Sequence, residues 1–110
     1  MELNVKTVDQ LTVVEPLGDI DGKTAPTFQE EVLALIEPGS RILIDMSGVS
    51  FMSSAGLRVM LLTHRKATES EARIVLVGLN ENILNSMTAT GFINFFTVRN
   101  SLDEGREALG

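Results

Sequence analysis

Two stretches of this chain are almost continuously apolar: Arg41-Ile42-Leu43-Ile44-Asp45-Met46 and Ile74-Val75-Leu76-Val77. Each is short and rich in branched side chains, the pattern of a strand buried in the middle of a sheet. Such strands need helices packed against them, so the chain is confined to an α/β architecture. Its 110 residues suffice for one core and one domain, spanning 1–110.

The segments around these strands complete the pattern. Leu3 to Val8 alternates apolar and polar, and Leu11 to Val14 is a short β-rich run. A tight turn at Asp9-Gln10 would join them as a hairpin, with Pro16 and Gly18 closing the second strand. Asp19-Ile20-Asp21-Gly22 reads as a turn, and Thr24 as the N-cap of a helix with Pro26 in its first turn. Phe28, Val32, Leu35 and Ile36 supply that helix's apolar face, and Pro38-Gly39-Ser40 ends it. A second helix runs from Ala55 to Thr68, with Leu57, Met60, Leu61 and His64 on one face. Asn80 caps a third, with Ile83, Leu84 and Met87 inward and Gly91 as its stop. Phe92 to Val98 supplies a turn and a last strand, with Phe92, Phe95 and Phe96 contributing mainly to the core. Ser101 caps a terminal helix carrying Asp103 and Glu104 in its first turn. The predicted order is ββαβαβαβα: a mixed, mostly parallel β-sheet with helices packed on it.

Composition narrows the function. Nine basic against fifteen acidic residues give a net charge of -6, which repels nucleic-acid phosphates. There is no cysteine, tryptophan or tyrosine and only one histidine, so thiol chemistry, thiolate metal sites and His-based metal clusters are excluded. No apolar run reaches the roughly 18 residues of a membrane span, and the N-terminus lacks a signal peptide's apolar core. The expectation is a cytoplasmic chain with no membrane partner.

The passage from Ile44 to Leu57 is the strongest local feature: Ser53 and Ser54 stand where the second helix begins, after a loop leaving a central strand. Either serine could cap the helix by accepting a bond from a first-turn amide. Either could instead accept a phosphate, which would meet free amides and the positive end of the helix dipole. A serine nucleophile is excluded. His64 lies ten residues beyond Ser54, about 15 Å along a helix, and Met52 stands where a G-x-S-x-G elbow needs glycine. Asp19, Asp21 and Asp45 could suggest a Mg²⁺ site, but the first two read better as turn residues that bond their own backbone. Neither a dinucleotide-binding nor a P-loop glycine pattern occurs, so no cofactor is implied. Phe51 and Met52 read as a partner surface, and Ala55 and Gly56 as small residues that let another backbone approach. Arg58, Arg65 and Lys66 are either a solvated face or a contact to an acidic partner.

Asp45-Met46-Ser47-Gly48-Val49-Ser50-Phe51-Met52-Ser53-Ser54-Ala55-Gly56-Leu57 resembles the motif of STAS domains, specifically the anti-sigma factor antagonists. Gly18-Asp19-Ile20-Asp21 resembles that family's earlier turn. The resemblance implies a STAS fold and a non-enzymatic partner switch. The unmodified antagonist binds a serine-kinase anti-sigma factor and frees the sigma factor. Phosphorylation at the second-helix serine dissociates the pair, and a Ser/Thr phosphatase restores the binding form. By alignment the acceptor is Ser54. Where the family often has aspartate just before it, this chain has Ser53, a competing hydroxyl. The partner surface so implied comprises Asp19, Asp21, Phe51, Met52, Ser53, Ser54, Ala55, Gly56 and Arg58. The alternative is a STAS scaffold, or a small-ligand or nucleotide sensor, without phosphorylation. A small acidic domain is most simply a monomer.

Overall fold

A computed structural model describes residues 1–8 and 10–110. The elements are β1 (Glu2–Val8), β2 (Leu11–Leu17), α1 (Ala25–Ala34), β3 (Arg41–Asp45), α2 (Ser54–Glu69), β4 (Arg73–Val77), α3 (Glu81–Thr90), a 3₁₀ turn at Phe92–Phe95, β5 (Thr97–Arg99) and α4 (Leu102–Leu109). The predicted ββαβαβαβα order is the observed one. Strands lie in the order β1-β2-β3-β4-β5, with β1 antiparallel to β2 and every other pair parallel. Of the predicted turn, Asp9 lies outside the described residues, and Gln10 has a positive φ of 67°.

Strand order and handedness together decide where the helices go. Each parallel crossover from β2 to β5 steps to the next strand in the same direction, and right-handed crossovers then put all three connecting helices on one face. That face holds the main core, where Val14, Ile42, Ile44 and Leu76 meet Phe28 and Val32 of α1, Met60 of α2 and Met87 of α3. The alternate strand residues Val13, Leu43, Val75 and Val77 point the other way and meet Leu109 of α4. Among the described residues only those of α4, free of a crossover, bring a helix to this second face. It packs closely because Gly105 has no side chain: a Cβ there would lie 2.6 Å from Leu43 Cδ1 and 2.8 Å from Val77 Cγ1. Two arginines in register at the starts of β3 and β4 bind its C-terminal carbonyls, which carry the negative end of the helix dipole. Arg41 donates to Gly110 O at 2.6 Å, and Arg73 donates to Ala108 O at 2.7 Å and Leu109 O at 3.2 Å.

Several local expectations change. β2 continues through Pro16 to Leu17, because its ladder to β3 ends at Val14 and a missing N–H beyond that point breaks nothing. Leu84 is 38% exposed rather than inward, since α3 rests on the sheet through Ile83 and Met87 alone. Phe92 and Phe96 pack partly against the core as expected, while Phe95 stays at the surface beside His64, the ring centroids 5.3 Å apart. Among the described residues no helix is long and apolar enough to cross a membrane, and no cluster of potential ligands could hold a metal ion.

Candidate functional site

The site forms where two loops leave the C-terminal ends of β2 and β3 and close on each other. Gly18 N donates to Gly48 O at 3.0 Å, Ile20 N to Phe51 O at 2.9 Å and Ser53 N to Ile20 O at 2.8 Å. Ile20 and Met52 thereby make an isolated parallel bridge. These backbone bonds place Asp19 and Asp21 beside the start of α2, although they lie more than thirty residues from Ser54 in sequence. A third element fixes the second loop. Asn80 Nδ2 donates to Ser50 O at 2.8 Å and to Val49 O at 3.3 Å, while its Oδ1 accepts from Ile83 N at 2.9 Å. One amide side chain both caps α3 and anchors the loop leading to the serines. From the sequence Asn80 is legible only as a cap; its donor half leaves no local signal, because the carbonyls it meets lie some thirty residues away.

The two serines part company. Ser53 holds the N-cap position in extended geometry, with φ -79° and ψ 178°, yet its side chain makes no cap bond. Its Oγ is shut off from solvent and has no hydrogen-bond partner. Ser54 is the first helical residue and is exposed. The first turn of α2 therefore keeps its amides free of any side-chain cap. The first intrahelical bond runs from Leu57 N to Ser53 O at 3.0 Å. Neither serine caps the helix.

The neighbours of Ser54 sort into surface and core. Phe51 is 53% exposed, whereas Met52 is 5% exposed and belongs to the core. Of the apolar pair expected at the surface, Phe51 is exposed and Met52 is not, because the bridge to Ile20 turns Met52 inward. Gly56 is buried as well. A Cβ there would lie 2.5 Å from Met52 Cγ, 2.9 Å from Ile20 Cγ2 and 3.1 Å from Ile20 O. The backbone it admits is the chain's own first loop, not a partner's. Ala55 is half-buried, and Arg58 is exposed one turn beyond Ser54. Arg58 and Ala55 line a groove of about 550 Å³ between α1 and α2, and Phe51 lines another of about 390 Å³ against α3.

The aspartates act as turn residues. Asp21 Oδ1 accepts from Lys23 N at 2.9 Å and Thr24 N at 3.2 Å, and these backbone bonds hold its carboxyl below the usual aspartate range. Thr24 holds the expected N-cap position of α1, but in right-handed helical geometry and without a side-chain cap bond. Its hydroxyl donates to Asp19 O at 2.8 Å and accepts from Asp21 N at 2.9 Å. Asp21 does the capping, and the helical turn starts there, with Ala25 N donating to Asp21 O at 2.8 Å. Asp45 is buried at the end of β3 and accepts from Ser47 N at 3.0 Å. The three carboxylates do not converge as a metal site.

The family profile of the STAS domain matches residues 2–105. This chain belongs to the STAS domain family. The anti-sigma-B factor antagonist of Bacillus subtilis is 29% identical over 91 residues, covering 83% of this chain and 84% of its own. BtrV of Bordetella bronchiseptica is 27% identical over 110 residues, covering 99% and 95%. Among solved structures, an anti-sigma factor antagonist from Mycobacterium paratuberculosis superposes with a TM-score of 0.86 at 26% identity, covering 98% of this chain and 92% of that one. Within the family, this STAS domain groups with the anti-sigma factor antagonists.

Proposed function

We propose that this STAS domain, unphosphorylated, binds a serine-kinase anti-sigma factor and so frees the sigma factor, and that phosphorylation of Ser54 switches it off. The observation carrying this reading is the exposed Ser54 hydroxyl on a helix start that no side chain caps. The kinase transfers the γ-phosphoryl group of ATP to Ser54 Oγ, breaking the bond to ADP while the hydroxyl proton leaves to a kinase base. The product carries about -1.5 to -2 charge, which the uncapped amides and the dipole of α2 receive without strain. Arg58, four residues on, stands on the same helix face and can pair with it. The fold keeps its shape, and the consequence falls on the interface, where Phe51 and the exposed parts of the Asp19–Asp21 turn meet the kinase. A Ser/Thr phosphatase restores the binding form. Ser53 Oγ, buried against its own loop, is the poorer acceptor.

The test is affinity for the kinase partner together with phosphosite mapping. Ser54→Ala stays bound, while Ser54→Glu loses about 100-fold, corresponding to about 3 kcal/mol. Equal affinity of the two variants overturns the switch. A Ser54 that is bare in resting and stressed cells alike leaves the constitutive scaffold or ligand sensor in its place.

A further inference from the structure

The sheet ends in two unlike edges. β5 is three residues long, whereas β1 runs for seven, pairs only with β2 and exposes most of its side chains, including Val5 at 45%. Helix α4 packs on β3, β4 and β5, and between α4 and β1 lies an open groove of about 620 Å³. The outer side of β1 thus presents free amides and carbonyls over its whole length, a template for another strand.

We propose that this edge takes a second copy of the chain, β1 against β1 antiparallel about a two-fold axis at Asn4. The argument is one of register. In an antiparallel self-pairing, outward backbone groups meet only if the axis passes through a residue pair, so the possible centres are the residues of β1 themselves. A centre at Glu2 or at Lys6 sets like charges opposite each other. A centre at Leu3, Val5, Thr7 or Val8 brings neither Glu2 nor Lys6 opposite a partner charge. A centre at Asn4 sets Glu2 opposite the partner's Lys6 twice and Leu3 opposite the partner's Val5 twice, with the two Asn4 amides facing on the axis.

The faces agree with this register. Lys6 is opposite Val13 and Val5 opposite Val14 in the β1–β2 ladder. Leu3 and Val5 therefore lie on the face of the three crossover helices, and Glu2, Asn4 and Lys6 on the α4 face. Pairing covers the exposed Val5 with the partner's Leu3 and joins two five-stranded sheets into one. None of the residues around Ser54 lies on this edge. Two strands of seven residues bury less than the roughly 1,000 Å² of a stable interface, and two chains of net charge -6 repel each other. The dimer is consequently weak and forms at high protein concentration, in contrast to the monomer expected from size and charge.

Sedimentation velocity of the full chain from about 10 µM to about 1 mM, in about 0.15 M salt, tests this. The wild type shifts toward dimer within that range. Lys6→Glu, which sets a second carboxylate opposite Glu2, weakens the dimer by about tenfold or more, and combining it with Glu2→Lys restores it. The chain has no cysteine, so single thiols report the register cleanly. Asn4→Cys forms an oxidised dimer, since opposed Cα atoms lie about 4.5–5.5 Å apart, whereas Lys6→Cys thiols are held about 13 Å apart and do not. A wild type that remains monomeric at about 1 mM overturns the proposal. So do a Lys6→Glu variant that dimerises like the wild type, a charge exchange that fails to recover, and equal cross-linking of the two cysteine variants.

Discussion

Helices α2, α3 and α4 begin in the same backbone geometry but not with the same chemistry. At α3, Asn80 Oδ1 accepts from Ile83 N at 2.9 Å, and at α4, Ser101 Oγ accepts from Glu104 N at 3.2 Å. At α2, the longest of the three, Ser53 occupies the equivalent position and leaves the amides uncapped. Its backbone N–H is committed to Ile20 O, and its hydroxyl is turned into the protein. A helix start without a side-chain cap forgoes about 1 kcal/mol of local stability and keeps its donors and dipole open to an incoming anion. The two capped starts hold the scaffold; the uncapped one is where an exposed serine waits.

The largest effect that would sharpen this contrast lies beneath α2. Gly56→Ala drives a methyl group into Ile20 and Met52, and is expected to lower stability by about 1–3 kcal/mol in urea unfolding despite alanine's better helix propensity. An unchanged midpoint would mean that the two loops do not press on α2 as the distances indicate. Next comes a pair of cap substitutions. Asn80→Ala removes a cap and two loop bonds and should cost about 1–2 kcal/mol. Ser53→Ala should cost nothing measurable or stabilise slightly, because it deletes a buried hydroxyl with no partner. If the two alanine variants lost equal stability, Ser53 would be an ordinary cap and the contrast between the helix starts would collapse.

The smallest effect concerns the start of α1. Asp21 has its carboxyl pKa depressed in the folded state by backbone bonds from Lys23 and Thr24. The sign follows: the folded chain binds this proton less readily, so its contribution is present above the unfolded aspartate pKa and is lost as pH falls through the lower folded value. Asp21→Asn should therefore flatten the loss of stability below about pH 4, followed by urea midpoints, while leaving the curve above pH 5 parallel to that of the wild type. An acid limb identical to the wild type's would show that the turn does not depend on the charge.

Particular residues show how far the chain could be read in one dimension. The runs Arg41 to Met46 and Ile74 to Val77 announced central strands, because burial on both faces requires apolar residues without alternation. Local order alone marks Ser53 and Ser54 together, since strand, loop and helix follow one another within a dozen residues, and only the resemblance to the STAS motif singles out Ser54. The same local order misplaces Met52 and Gly56. Their real neighbour, Ile20, lies more than thirty residues away, and a loop docked by backbone hydrogen bonds leaves no side-chain pattern to betray it. Thr24 holds the cap position of α1 while Asp21 supplies the side-chain bonds, because either residue type can bond a free amide and only the folded turn decides which one reaches it.

By itself, then, the sequence determined the α/β class, the order of elements, the absence of thiol and clustered-histidine chemistry, and the family motif that runs into the start of α2. These are properties of periodicity and composition. The tertiary structure alone decided which serine is open, which of Phe51 and Met52 faces solvent, that α4 crosses to the face opposite the other helices, and that β1 is left as a long free edge. Each depends on contacts between segments far apart along the chain, and the geometry of such contacts exists only once the sheet has formed.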